Sequence, residues 1–243
     1  MHKNIALGLV GGISWVSTID YYRLLNEGVN ERLGGLHSAR LMIQSVNFHD
    51  FVSNNTAGRW DLTLSLMHEA CQSLVAAGAD AIMLCANTAH AVVAPLKVDL
   101  PVPIIDIVEE TAAVIASRGL QKVALIGTKF TMELPFYLDG LARHGIEGIV
   151  PATQIQRDYI QTTVRDELGR GIVREETRDA YLEILGGMIE SGCEGVVFGC
   201  TEIPLLLGQE HFSVPCFDTT RIHSDAGIRF LVDGHLGPLP NPV

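Results

Sequence analysis

Short apolar runs alternate with longer amphipathic stretches along the chain. The runs have the length of buried β-strands, and the stretches between them have the spacing of helices that bury one face. One helical stretch is predicted from near Ser17 and Thr18 to Gly34, and others end at glycines, as helices often do. Eight runs predict strands: Ile5–Val10, Leu41–Val46, Ala81–Leu84, Pro103–Ile105, Val123–Ile126, Gly148–Val150, Val196–Phe198 and Pro215–Phe217. The alternation predicts an α/β fold with mainly parallel sheets.

The second half of the chain repeats features of the first half in the same order. Three segments match at a nearly constant spacing: 5–12 with 123–128, 81–85 with 196–200, and 102–106 with 214–218. Such a duplication predicts two pseudo-symmetric α/β lobes. We expect the first lobe at 1–117, with 219–243 packing back on it, and the second lobe at 118–218. Ligands of open α/β sheets bind beyond the carboxyl ends of the strands, so we expect an active-site cleft between the lobes.

Two of the five cysteines occupy the same position in the two repeats. Cys85 and Cys200 each follow a predicted strand and precede a predicted helix start. The partial positive charge of a helix N-terminus is expected to lower the pKa of each thiol. Cys71, Cys193 and Cys216 have no such match, and we interpret them as structural.

Composition and charge exclude several classes of protein. The chain has 243 residues, of which 47% are hydrophobic and 19% charged, and this composition is typical of a folded domain. Its net charge of −11, with no cluster of basic residues, argues against nucleic acid and anionic membranes as partners. An odd number of cysteines without Cys-x-x-Cys spacing argues against a disulfide framework or a structural zinc site and favours a cytoplasmic location.

A symmetric pair of thiols suits racemisation. That reaction removes a proton from one face of a carbon and returns a proton to the other, so it needs one thiolate and one thiol on opposite sides. Hydrogen-bond donors must also stabilise the charge that develops on the substrate's α-carboxylate. Four residues that follow predicted strands are candidate donors: Asn87, Thr88, Thr128 and Thr201. We also expect the substrate to approach the backbone closely at a glycine-rich turn that contains Gly12 and Ser14. No metal or pyridoxal phosphate site is evident in the sequence.

Three motifs resemble those of the aspartate/glutamate racemase superfamily. They are Gly-Gly-Ile-Ser-Trp-Val-Ser-Thr at 11–18, Cys-Ala-Asn-Thr-Ala-His at 85–90 and Gly-Cys-Thr-Glu-Ile-Pro at 199–204. The resemblance runs over nearly the whole chain and is strongest to the aspartate racemase and broad-specificity branch. It implies cofactor-independent racemisation of a small amino acid and a homodimer. It also implies that Cys200 takes the proton from the L-enantiomer and Cys85 takes it from the D-enantiomer.

Two departures from the family leave the substrate open. Glutamate racemases usually have His after Gly-Cys-Thr, whereas Glu202 stands at that position here. Some aspartate racemases place an Arg, which holds the side-chain carboxylate, in the loop after the second strand, where this chain has Phe51, with Arg59 further on. A second basic anchor would fall near Gly169 or Arg170. Glu202 points away from the glutamate racemases, and an apolar Phe51 suits a neutral side chain better than a carboxylate. These departures leave the choice between aspartate and neutral amino acids, within a broader expectation of aspartate, glutamate or a wider set of amino acids.

Two further residues have alternative roles. Glu202 either raises the pKa of the Cys200 thiol by like-charge repulsion or caps the following helix. His90 lies five residues beyond Cys85, which is not a facing position on a helix, so we expect a helix residue that acts on the site indirectly if at all.

Three readings of the whole chain compete. The leading one is an amino-acid racemase. A related carbon-acid enzyme, such as a hydantoin racemase or a maleate-type isomerase, would use the same fold with one cysteine as a nucleophile. A non-catalytic small-molecule binding protein is the third, but binding alone gives no reason for two equivalent thiols.

Overall fold

The computed structural model describes residues 5–235, and it divides them into two α/β units. The first unit comprises 5–107 together with 223–235, and the second comprises 108–222. The predicted N-terminal residues 1–4 and the last part of the predicted segment 219–243, from 236 onward, lie outside the described residues.

The first unit, together with helix α5 that starts at its last residue, has the strands that the apolar runs predict. Its strands are short and almost wholly apolar, and helices or 3-10 turns connect them. Its elements are β1 Leu7–Gly11, α1 Trp15–Leu33, β2 Leu41–Ser45, α2 Phe48–Thr56, α3 Trp60–Ala76, β3 Ala81–Leu84, a 3-10 helix at Thr88–Val92, α4 Val93–Asp99, β4 Ile104–Ile105 and α5 Ile107–Ser117.

The second unit repeats this plan. Its elements are β5 Lys122–Gly127, α6 Lys129–Glu133, α7 Pro135–Arg143, β6 Glu147–Ile149, α8 Gln154–Asp166, a 3-10 helix at Leu168–Arg170, α9 Glu175–Glu190, β7 Val196–Gly199, 3-10 helices at Ile203–Leu205 and Gln209–His211, and β8 Cys216–Asp218. The last helix, α10 Thr219–Asp233, begins in the second unit and belongs to the first from His223 onward. All eight predicted strands are confirmed, each within two residues at either end.

The strand orders confirm the α/β class and the internal duplication. The first sheet has the order β2-β1-β3-β4 and the second has the order β6-β5-β7-β8, and every pair in both sheets is parallel. In each sheet the first strand in the chain lies between the second and the third. The carboxyl ends of four strands therefore lie along one edge of each sheet, and the loops that follow them are neighbours.

Each sheet is covered by apolar side chains of its own unit. In the first unit, one face packs against α3 and α4 through residues such as Met67 and Leu96, and the other face packs against α1 and α10 through residues such as Leu25 and Ile228. In the second unit, Ile160, Tyr181 and Leu185 of α8 and α9 cover one face. Strands buried on both faces explain why the runs are continuous rather than alternating.

Local capping sets where helices begin. Helix α1 begins at Trp15, two residues before the predicted start, because the Ser14 hydroxyl accepts a hydrogen bond from the Val16 N–H (3.3 Å) and acts as the N-cap. Asp218 caps α10 in the same way, through the N–H groups of Thr220 (2.9 Å) and Arg221 (3.2 Å). No helix among residues 5–235 is long and apolar enough to span a bilayer.

Candidate functional site

The structure collects the predicted site residues into two groups, one in each unit. Five of them, Gly12, Ser14, Cys85, Asn87 and Thr88, follow β1 and β3 at the carboxyl edge of the first sheet. The other four follow β5 and β7 at the carboxyl edge of the second sheet: Thr128, Cys200, Thr201 and Glu202. Each group thus contains one thiol and several hydrogen-bonding side chains.

A tight turn joins β1 to α1 at the first edge. Gly12 has a φ of 81°, a conformation that favours glycine, and its N–H donates to the Thr18 hydroxyl (2.9 Å). A Cβ at this position would meet the backbone carbonyl of Val46, so the chain after β2 passes directly over the glycine. The turn therefore keeps the backbone close to the sheet edge.

The Cys85 turn, residues 85–87, continues β3. The Cys85 N–H donates to the Val10 carbonyl (3.0 Å), and the Cys85 carbonyl accepts from the Ser17 hydroxyl (3.2 Å). The thiol is fully buried, and burial raises its pKa above the ordinary range. Asn87 and Thr88 are also buried, at 3% and 7% exposure, and begin the 3-10 helix.

His90 lies in that 3-10 helix and does not contact a thiol by hydrogen bonding. Its Nδ1–H donates to the Ala86 carbonyl (3.0 Å), and its Nε2 accepts from the Ile107 N–H (3.2 Å). Burial lowers the pKa of His90, so the ring is neutral. The spacing argument against a Cys–His pair agrees with this arrangement.

The Cys200 turn, residues 200–202, continues β7 and has a different chemistry. The Cys200 thiol donates to the Glu202 carboxylate (2.9 Å), and the Thr201 hydroxyl donates to the same oxygen (2.7 Å). Burial, and then the negative charge of Glu202, raise the pKa of the Cys200 thiol well above its ordinary value. Of the two roles considered for Glu202, the structure favours the effect on the thiol, since its side chain makes no capping hydrogen bond.

The expectation of lowered thiol pKa values is wrong. Each cysteine is followed by a 3-10 helix of only five or three residues rather than by an α-helix, so few aligned peptide dipoles face it. Burial outweighs that small effect at both positions. Among the cysteines that we interpreted as structural, Cys71 and Cys193 are buried in the apolar clusters, which is consistent with a packing role.

Thr128 and the positions considered for a substrate anchor make contacts within their own elements or clusters. The Thr128 hydroxyl accepts from the Thr131 N–H (3.3 Å) and caps α6. Phe51 is only 4% exposed and packs in the apolar cluster of the first unit. Arg59 is exposed and pairs with the Asp61 carboxylate (2.7 Å), while Gly169 and Arg170 lie on an exposed 3-10 helix.

The sequence did not indicate the buried polar residues that lie near the Cys85 turn in the first unit. Ser17 binds the Cys85 carbonyl, and a buried chain of polar groups runs from Tyr21 to His223 and on to the Ile105 carbonyl, with both hydrogen bonds at 2.8 Å. Ser17 follows the helix cap by three residues, which is a usable local signal. His223 has none, because its partners lie more than a hundred residues away. Among residues 5–235, no group of three or more His, Cys, Asp or Glu is arranged to hold a metal ion.

Comparison with known proteins gives a consistent family. The model of the Asp/Glu/Hydantoin racemase family matches residues 10–227. A crystal structure of a candidate Asp/Glu racemase from Yersinia pestis is 41% identical, with a TM-score of 0.88 over 93% of this chain and 99% of that chain. An aspartate racemase homologue from Pyrococcus horikoshii is 32% identical, with a TM-score of 0.81 over 95% of this chain and 99% of that one.

Curated relatives match over a shorter range. A glutamate racemase from Thermus thermophilus is 31% identical over 139 residues, which are 56% of this chain and 48% of that protein. The chain thus spans about half the length of the curated relatives it matches. An aspartate racemase structure from Picrophilus torridus, at 18% identity and a TM-score of 0.70, shares the fold.

Proposed function

Because the chain belongs to the Asp/Glu/Hydantoin racemase family, we propose that it is an amino-acid racemase that needs no pyridoxal phosphate and uses Cys85 and Cys200 as its acid/base pair. One observation carries the proposal. The two thiols directly follow β3 and β7, which hold equivalent places in two sheets of the same strand order. Chance placement of buried cysteines does not produce that equivalence.

The proposed reaction has two proton transfers. The thiolate of one cysteine removes the α-proton from one face of the substrate, and the thiol of the other donates a proton to the opposite face. The first cysteine ends as a thiol and the second as a thiolate, so the reverse turnover starts from the product state. Following the family, Cys200 acts on the L-enantiomer and Cys85 on the D-enantiomer. The scheme requires that both sulfur atoms reach one α-carbon.

A thiolate must form before the first transfer. Because burial raises the pKa of both thiols, each is protonated in the unliganded protein at neutral pH. We propose that the positively charged α-ammonium group of the substrate lowers the pKa of the attacking thiol once it is bound. The proton of that thiol leaves to solvent, and one thiolate and one thiol then flank the substrate.

The substrate's α-carboxylate needs hydrogen-bond donors where enolate charge develops. We propose that Asn87, Thr88, Thr128 and Thr201 provide them, with Gly12 and Ser14 lining the approach from the β1–α1 turn. Glu202 completes the proposed set through its contact with Cys200. None of these groups is a metal ligand in the proposed scheme, and no cofactor takes part.

The substrate side chain is the least determined part of the proposal. We propose aspartate, glutamate or a broader set of amino acids as substrates, the homodimer that the family implies, and the cytoplasmic location that the cysteine content favours. The matching family also includes hydantoin racemases, so a 5-substituted hydantoin is the second candidate substrate. A panel of pure enantiomers scored by chiral chromatography, with aspartate, glutamate, homoserine, methionine, leucine and one hydantoin, decides among them.

Deuterium exchange tests the reaction itself. In D₂O, a racemase incorporates deuterium at the α-carbon of the product enantiomer, whereas a binding protein leaves the α-hydrogen in place. We expect exchange by the native chain, loss of racemisation in Cys85→Ser and in Cys200→Ser, and unchanged rates in Cys216→Ser, a matched thiol at the second sheet's edge strand. Full racemisation by either of the first two variants would refute the two-cysteine scheme.

A further inference from the structure

Two side chains from different elements contact the two successive peptide groups that follow Cys85. The Ser17 hydroxyl of α1 lies within hydrogen-bond distance of the Cys85 carbonyl (3.2 Å) and of the Ser14 carbonyl (2.9 Å), and the His90 ring donates to the Ala86 carbonyl (3.0 Å). Both side chains are 1% exposed. Cys85 shares the first of these peptide groups, and the second fixes the backbone torsions of the adjacent Ala86, so the two contacts together hold the backbone from which the Cys85 side chain projects.

His90 makes its two hydrogen bonds as a neutral ring with its proton on Nδ1. The Nδ1–H donates to the Ala86 carbonyl, and Nε2 accepts from the N–H of Ile107, the first residue of α5. The ring therefore bridges the turn after β3 to the turn after β4. Since both nitrogens are engaged with backbone groups, His90 has no position from which to exchange a proton with a substrate.

A second imidazole packs against the first. The His223 ring lies 5.6 Å from the His90 ring, centroid to centroid, in an edge-to-face arrangement. His223 is fixed in turn by the Tyr21 hydroxyl and the Ile105 carbonyl. The charged groups that act on His90 are Asp106 and Lys97, which pair with each other at 2.7 Å. The His90 ring is thus held by two hydrogen bonds and by its contact with the His223 ring.

We propose that His90 is a positioning residue for Cys85: through its hydrogen bond to the Ala86 carbonyl it sets the orientation of the Cys85 thiol, and it has no such effect on Cys200. The inference rests on the proposed function for its kinetic consequence, and on geometry alone for its effect on the thiol. We therefore expect a change at His90 to affect proton transfer by Cys85 and not proton transfer by Cys200.

Two substitutions separate the two hydrogen bonds of His90. In His90→Asn, the amide nitrogen takes the place of Nδ1 and keeps the bond to Ala86. In His90→Gln, the amide lies at the distance of Nε2 and keeps an acceptor for Ile107 but loses the bond to Ala86. Each is made in a Cys200→Ser background, where only Cys85 can act, and in a Cys85→Ser background, where only Cys200 can act.

The readout is elimination of HCl from β-chloroalanine. One thiolate removes the α-proton, chloride leaves the β-carbon, and the aminoacrylate that results hydrolyses to pyruvate and ammonia. In the Cys200→Ser background we expect His90→Gln to lower kcat about tenfold with KM within about twofold, the scale of one hydrogen bond, and His90→Asn to retain most of the rate. In the Cys85→Ser background we expect neither to change the rate beyond about twofold.

Several outcomes overturn the inference. Equal losses in both backgrounds assign His90 a general structural role. Loss in His90→Asn with retention in His90→Gln shows that the bond to Ile107 is the one that matters. If neither parent eliminates HCl, the proposed function has failed, and the buried thiol itself is measured instead, by the cysteine Cβ chemical shifts of the ¹³C-labelled native chain, His90→Gln and His90→Asn. A Cys85 shift that changes in His90→Gln but not in His90→Asn, with Cys200 and Cys216 unchanged in both, supports positioning, and an unchanged Cys85 shift in His90→Gln refutes it.

Discussion

The turn after β3 and the turn after β7 occupy the same place in two sheets of the same order, yet their thiols have different neighbours. Around Cys85, the Ser17 hydroxyl and the neutral His90 ring donate to the backbone carbonyls of Cys85 and Ala86. Around Cys200, a carboxylate binds the sulfur directly. The comparison teaches that the two repeats share their backbone topology, whereas the side chains around the two thiols differ.

The largest expected effect comes from removing either thiol. We expect Cys85→Ser and Cys200→Ser each to lower racemisation by about 10²–10⁴-fold, the usual contribution of a general acid or base. Each variant should still eliminate HCl from one enantiomer of a β-chloro amino acid, and the two variants should prefer opposite enantiomers. Chiral substrates and a pyruvate assay check this. Preference of both variants for the same enantiomer would contradict the equivalence of the two thiols.

A second difference between the units lies in the turn after the first strand of each sheet. Gly12, with φ at 81°, occupies it in the first unit, and Thr128 occupies the same place in the second with φ at −63°. We expect Gly12→Ala to lower the free energy of unfolding by about 1–3 kcal/mol from backbone strain, and further because the new Cβ meets the Val46 carbonyl.

Gly35→Ala is a matched control that separates backbone strain from the contact between the new Cβ and the Val46 carbonyl. Gly35 also has a positive φ, of 59°, but nothing lies within 4 Å of a Cβ built there. Chemical denaturation of Gly12→Ala and Gly35→Ala compares them. An equal loss in both would mean that the chain after β2 gives way to the new methyl group.

Glu202 provides the sharpest test of the electrostatic difference. Its negative charge raises the pKa of the Cys200 thiol, so Glu202→Gln, which keeps an acceptor, should lower that pKa. In a Cys85→Ser background, the rise of elimination with pH should therefore shift to lower pH, by about one unit on the scale of a close charge pair. The same substitution in a Cys200→Ser background should leave the profile in place. A shift in both backgrounds would show that Glu202 acts on both thiols.

Stability at acid pH also sets the first unit apart. Burial lowers the pKa of His223 to about 3, below its value of about 6.5 in an unfolded chain. Its contribution to stability is therefore complete above pH 6.5 and is lost as pH falls toward 3, at about 1.4 kcal/mol per pH unit. Hydrogen exchange by mass spectrometry between pH 7 and pH 4 should show loss of protection in the first unit.

His223→Asn should flatten this pH dependence, while His37→Asn, at an exposed position of the same unit, should leave it as it is. Equal pH dependence of protection in peptides of both units, or no flattening in His223→Asn, would assign the acid sensitivity to other groups.

The strands, and the positions of the two thiols directly after equivalent strands, were predictable because their signals are local or repeat along the chain. Strands buried on both faces have to be continuous apolar runs, and a sequence duplication has to place its matched residues at matched positions. The repeat alone thus distinguishes Cys85 and Cys200 from the other three cysteines. The start of α1 was misplaced by two residues, since both Ser14 and Ser17 are residues that favour N-caps and only the fold selects one.

The thiol environment was not predictable in the same way. The expected fall in thiol pKa was wrong because a helix start is visible in sequence, whereas the depth of burial and the length of the following helix are not. His223 was missed because its partners Tyr21 and Ile105 come from distant parts of the chain. The sequence left Glu202 open between two roles, and the hydrogen bond between its carboxylate and the Cys200 sulfur favours one of them.

By itself, the sequence determined the α/β class, the duplicated strand plan and the pair of cysteines that terminate equivalent strands, since each depends on residues that are close in the chain or repeat along it. The tertiary structure alone decided the burial of the thiols, the carboxylate at Cys200 and the neutral histidine behind Cys85. Burial and hydrogen bonding depend on which distant segments meet, and a linear pattern does not contain that information.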